Sequence, residues 1–186
     1  WEDLRLWERC LTKGGMPNVM FPRGYNNNTL IVQSPDYVTI FHEMIHEVRI
    51  VPLDGRPHVP ETIRSWVGDA RGHWEGDTLV VETTNFHPQN SVRSAIRHYL
   101  YLQPDSLVEE RFTRVSDDVI HYEFTVTDPD LFTQPWSAEM PLWAAEGPIY
   151  EYACHEGNYS LPGILAGARR QEALAREAAS ENSGGE

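Results

Sequence analysis

Histidine and glutamate adjoin at two places in otherwise apolar sequence, and the chemistry open to this chain concentrates there. The first is His42-Glu43-Met44-Ile45-His46, a literal HExxH, followed by Glu47. The second is EYACHEGNY, residues 151–159, which crowds Glu151, His155, Glu156 and Asn158 behind a β-rich stretch. An imidazole beside a carboxylate is held in one tautomer and tuned toward neutral pH, which suits proton transfer. Charges buried without partners are costly, so such groups are paired or have work to do. The predicted catalytic residues are therefore His46 and Glu43 from the first stretch and His155 and Glu156 from the second, contributing to one pocket.

The chemistry of HExxH depends on local shape. On a helix, positions i and i+4 share a face and bind zinc. On a strand, a rise of about 3.3 Å per residue puts His42 and His46 roughly 13 Å apart, too far for one ion. The flanks favour a strand. Val38, Thr39, Ile40, Phe41, Ile45, Val48, Ile50 and Val51 are β-formers. Val38, Ile40, Met44, Val48 and Ile50 alternate with Thr39, Glu43, Glu47 and Arg49, which is period two. Ser34-Pro35-Asp36 reads as a turn into a strand rather than a helix cap. The stretch is either one strand or two that part near Met44 or His46, and no Gly or Pro marks a break. In a regular strand Glu43 and His46 point to opposite faces. Only a bulge would bring both to one pocket; otherwise His46 stays and Glu43 drops out.

Bland readings stand beside these. A single core histidine is more often structural than catalytic, and a Glu–Arg surface pair is worth well under about 1 kcal/mol. The CHEGN stretch is also a turn into a final helix. Most of the aromatics, Trp66, Trp74, Tyr122, Phe124 and Trp136 among them, belong in a core; a few could line a pocket for an apolar ring or a sugar face. No cofactor is predicted. A divalent ion such as zinc would suit His155 and Glu156 with a third ligand from His46, His58 or His73. No G-x-S-x-G occurs, Cys154-His155 lacks the second Cys of a haem attachment motif, and neighbours on a strand point apart, which argues against a Cys154–His155 dyad.

The elements that must position these residues are mostly strands. HWEGDTLVVETTNF reads strand, turn at Glu75-Gly76-Asp77, strand. LVEERFTRV and VIHYEFTV flank Ser116-Asp117-Asp118 as a second hairpin, with Ile120, Tyr122, Phe124 and Val126 on one face. Residues 29–33, 136–143 and 149–154 complete the strands. Helices are expected at 1–15, around 92–101 and at 161–179, the last rich in Ala, Arg and Glu. The fold class is mainly β: an antiparallel barrel or strongly curved sheet with short N- and C-terminal helices, a single domain over 1–180 and a loose polar tail at 181–186. No βαβ alternation or phosphate-binding glycine loop is present. A formal charge of −13 argues against nucleic-acid backbones, and no apolar run is long enough to span a membrane.

IHEVRIVPLDGRPHVPETIRSWVGDARGHWEGDTLVVETTNF, ERFTRVSDDVIHYEFTVTDPDLFTQPW and IYEYACHEGNY resemble, over nearly the whole chain, a large family of secreted bacterial proteins of unassigned function. The resemblance implies a periplasmic or extracellular setting and a longer N-terminus carrying an export signal. It implies no activity and no catalytic residue. The hairpins look loosely like calycin barrels, by analogy of fold alone. An exported chain with two cysteines is expected to pair them, Cys10 with Cys154. Three functions follow. The first is a small secreted enzyme doing His/Glu acid–base chemistry, as an isomerase, lyase or hydrolase, on a small molecule in a barrel pocket. The second is a lipocalin-like binder of a small ligand. The third is a metal-dependent hydrolase with His/Glu ligands.

Overall fold

Where apolar and polar residues alternate, the chain forms antiparallel strands. A computed structural model describes residues 6–22, 24–95, 98–155 and 160–183. They divide into two compact units, Trp1–Ala153 and Cys154–Glu186.

The first unit is β. Strands β1 (Thr29–Gln33), β2 (Tyr37–His42) and β3 (Val48–Pro52) form a three-stranded antiparallel sheet. Strands β4 (Asp69–Glu75), β5 (Thr78–Thr84), β8 (Leu107–Ser116), β9 (Val119–Thr127) and β10 (Trp136–Trp143) form a second, in the order β10-β9-β8-β5-β4. Between β5 and β8, β6 (Ser91–Ala95) and β7 (His98–Tyr101) pair as a separate ribbon. The predicted hairpin turns at 75–77 and 116–118 are both present, and β10 has the predicted bounds.

The second sheet is amphipathic, whereas the first also carries apolar side chains on its outer face (Leu30, Val32, Val48 and Ile50); the inner faces of the two share one core. Val38, Ile40 and Val51 come from the first sheet; Leu79, Val81, Val108, Phe112, Tyr122, Phe124 and Val126 come from the second. Met16, Val19 and Met20 of the N-terminal segment join them. At about 25 cal/mol per Å² of apolar area removed from water, these side chains supply the main favourable term of folding. At one seam β3 lies against β4. There a Cβ on Gly72 would lie only 2.6 Å from Val51 Cγ1 and 2.9 Å from Leu53 Cδ2, closer than these side chains allow. Among the described residues the sheets remain open, with no closed barrel.

Three expectations need correction. Residues 6–15 form turns instead of a helix, because Cys10, Gly14 and Gly15 all take positive φ (57°, 116° and 62°), which a right-handed helix excludes. Residues 92–95 and 98–101 fall in the β6–β7 ribbon, in keeping with the β-formers Val92, Tyr99 and Tyr101. Residues 149–154 form no strand.

The second unit contains helix α1 (Ser160–Ser183), longer at its C-terminal end than the 161–179 predicted. Its Ala, Arg and Glu content is strongly helix-forming, and Pro162 is confined to the first turn, where its missing N–H costs nothing. Cys10 and Cys154 are joined in a disulfide, as expected.

Candidate functional site

The HExxH stretch is neither a zinc helix nor a continuous strand. It is the connection between β2 and β3. His42 ends β2, Val48 begins β3, and Met44–His46 form one turn of 3-10 helix between them. Inside that turn Ile45 and His46 take left-handed φ of 63° and 45°. Non-glycine residues seldom do so, and a β-branched residue almost never; each such residue costs on the order of 1–3 kcal/mol. The conformation is imposed from three sides. The His42 N–H donates to the Glu47 carbonyl (2.8 Å), the His46 N–H to the Glu43 carbonyl (3.1 Å), and the Glu43 N–H to the Asn28 carbonyl (3.0 Å). Met44 and Ile45 bury their side chains beneath.

The turn also reverses the predicted alternation. Arg49 and Val51 point inward, while Val48 and Ile50 are exposed. A period-two reading carried through residues 43–47 fails because a connecting turn resets the phase of the next strand.

His46 is exposed, and its Nδ1 lies 3.1 Å from the Tyr152 carbonyl oxygen. A carbonyl only accepts, so this bond needs the hydrogen on Nδ1 and leaves Nε2 of the neutral ring as the basic atom. The same contact joins the first predicted motif to Tyr152 of the second. The Tyr152 hydroxyl is hydrogen-bonded to Tyr25; partial burial first, and then that neighbouring phenol, push its pKa up. Glu43 faces inward, with Oε2 accepting from Asn28 Nδ2 at 2.8 Å. Glu43 and His46 therefore share a turn but not a direction. His155 is exposed and belongs to the second unit, and Glu156 lies outside the described residues.

Sequence reasoning missed a polar group in the core beneath this turn. His42 is 2% exposed, with Nδ1 3.1 Å from Thr29 Oγ1, while its buried Nε2 has no hydrogen-bond partner among the described residues. Burial, reinforced by the charges of Arg49 and Lys13, holds its pKa well below the usual imidazole value, so the ring is neutral. Glu47 receives the Thr12 hydroxyl and the Lys13 N–H (3.1 Å), yet burial outweighs both bonds and raises its pKa. Arg49 grips Glu110 through NH1 (2.5 Å) and NH2 (3.3 Å), and the Tyr122 hydroxyl donates to the same carboxylate at 2.8 Å. All three are essentially inaccessible. One signal was readable beforehand: Glu110 is in phase with Val108 and Phe112, a charge at an inward position.

A cleft of about 350 Å³ opens at the seam where β1 faces the ends of β9 and β10. Asn28 and Thr29 line one side; Asp117, Asp118 and Trp143 line the other. Asn28 and Thr29 are the residues hydrogen-bonded from behind by Glu43 and His42. On the outer face of the second sheet, His121 stands between Glu123 and Glu139, with the three donor atoms within 4.8 Å of one another. Glu123 and Glu139 are direct cross-strand partners, and the His121 ring lies 3.7 Å from the first carboxylate and 3.2 Å from the second.

No family model, curated protein or solved structure matches the chain.

Proposed function

We propose that this chain is a small exported enzyme that performs acid–base chemistry on a small molecule, with His46 as the proton-accepting residue. One observation carries the reading. A strained, non-glycine left-handed turn presents an imidazole at the surface, with Nδ1 tied to a backbone carbonyl and Nε2 open. Backbone strain of this kind persists only where the surroundings over-determine it, and it clusters at working sites. An imidazole with one open nitrogen serves as base and then as acid, the requirement shared by isomerases, lyases and hydrolases. Glu43 acts here as a positioning residue, because its carboxylate holds Asn28 instead of facing outward. The exported setting is supported by the disulfide, which persists in oxidising compartments. The strands outside the ribbon follow one another round the core from β1 to β10, and we read them as a calycin-like barrel opened at two seams.

The test is a turnover screen on esters, lactones, glycosides and epimerisable hydroxy-ketones. With any substrate found, His46→Gln should lower turnover by about 10²–10⁴ and leave the unfolding midpoint unchanged. The pH–rate profile of the parent protein should fall on the acid side as one imidazole protonates. Undiminished turnover in His46→Gln would refute the assignment, and His155→Gln, assayed separately, reports on the second motif. A second reading, a ligand-binding module without turnover, is favoured by the seam cleft, whose size lies within the range of small-molecule sites.

A further inference from the structure

We infer that the seam cleft is a binding site for a neutral, polyhydroxylated ring, that is, a carbohydrate. This goes beyond the acid–base reading and stands without it. The two sides of the cleft differ in chemistry. Thr29 and Asn28 offer a hydroxyl and an amide, and both are fixed: Thr29 Oγ1 lies 3.1 Å from His42 Nδ1, and Asn28 Nδ2 lies 2.8 Å from Glu43 Oε2. Opposite them Trp143, at the end of β10, exposes 72% of its surface. Few groups of this size are left so open, and an indole face beside polar groups suits a ligand with one apolar and one hydroxylated aspect. A pyranose has both, C–H groups across its faces and hydroxyls round its edge.

The charges narrow the class. The turn of the β8–β9 hairpin brings Asp117 and Asp118 to the rim. Carboxylates accept hydrogen bonds from hydroxyls and repel anions. Arg114, the cation in this lining, bonds the Ser116 carbonyl (3.2 Å) and the Asp117 carbonyl (3.0 Å) and pairs with the Asp117 carboxylate at 3.5 Å, which leaves the Asp118 charge in excess. With a chain charge of −13 behind it, the cleft disfavours phosphorylated and carboxylated ligands. What remains is a neutral ligand rich in hydroxyl donors. The volume of about 350 Å³ sits at the lower end of small-molecule sites, which fits one or two sugar rings and excludes a long chain in extended contact.

The experiment titrates the full chain, disulfide intact, with glucose, maltose, cellobiose, lactose and chitobiose, and with glucose 6-phosphate as the anionic control. Binding is followed by ¹H–¹⁵N shifts and by calorimetry. At least one neutral sugar should shift the Thr29 and Asp118 amides and the Trp143 indole N–H together, and glucose 6-phosphate should bind more weakly than glucose. Trp143→Ala should weaken binding by about tenfold or more, and Trp143→Phe by less, because the phenyl keeps a stacking face. Trp143 is exposed, so neither variant threatens folding, which thermal melts of both check. Absence of shifts at these positions with every neutral sugar, or affinity unchanged in Trp143→Ala, overturns the inference. Neither result bears on His46, whose test is turnover.

Discussion

His42 and Glu47 stand at the two ends of one turn, and the fold displaces their protonation in opposite senses. For His42 the folded protein favours the neutral ring, so the unfolded chain binds more protons below the ordinary value of 6.5. Its contribution to stability is complete above pH 6.5 and is lost as pH falls from there toward the depressed folded pKa. For Glu47 the folded protein favours the protonated acid. Its contribution is complete below the ordinary value of 4.5 and is lost as pH rises through the elevated folded pKa. We predict that His42→Gln, which keeps an amide within reach of Thr29, flattens the loss of stability on acidification below pH 6.5. Urea unfolding from about pH 4 to about pH 8 reads this directly, and an unchanged acid limb would argue against a neutral buried His42. His46 differs because it is exposed and bonded on one side only. Its neutral form should be the Nδ1–H tautomer, visible in the ¹⁵N shifts of the imidazole; an Nε2–H ring would break the link to Tyr152 and remove the geometric basis for a base at Nε2.

At the scale of elements, β3 is tied to β8 and β9 across the core by the Arg49–Glu110–Tyr122 group. Two opposite charges buried together contribute little net stability, but removing one strands the other. Glu110→Ala should therefore cost about 3–5 kcal/mol, measured by denaturant unfolding. Replacing all three groups, with Arg49→Met, Glu110→Leu and Tyr122→Phe, should cost much less than Glu110→Ala alone, because no charge or hydroxyl is left without a partner. A loss under about 1 kcal/mol in Glu110→Ala would show that Arg49 finds another partner or solvent, contrary to a buried pair. The β3–β4 seam makes a similar demand on size, since the space beside Gly72 is already filled by Val51 and Leu53.

At the scale of the whole molecule, the Cys10–Cys154 disulfide closes most of the chain into one loop. Titration in denaturant without reductant should find no thiol. Reduction should lower the midpoint of denaturant unfolding, corresponding to a stability loss of about 4–5 kcal/mol in the chain-entropy model and less if the reduced chain retains structure. An unchanged midpoint would show that the bridge constrains little in the unfolded state. What the sequence by itself determined is local: the 73–84 and 107–127 hairpins, the inward face Tyr122-Phe124-Val126 and the terminal helix follow from period-two alternation, turn residues and helix propensity, all set by near neighbours. The HExxH turn was not legible in that way. No glycine or proline announces it, and the turn is held by the Glu43–Asn28 bond and by burial of Met44 and Ile45, contacts that come from elsewhere in the chain. The same holds for the orientation of Arg49, for the meeting of His46 with Tyr152, and for the cleft between β1 and β10. Each depends on which strands become neighbours in space. That is decided by packing two sheets onto one core, a free energy summed over the whole chain that no local pattern contains.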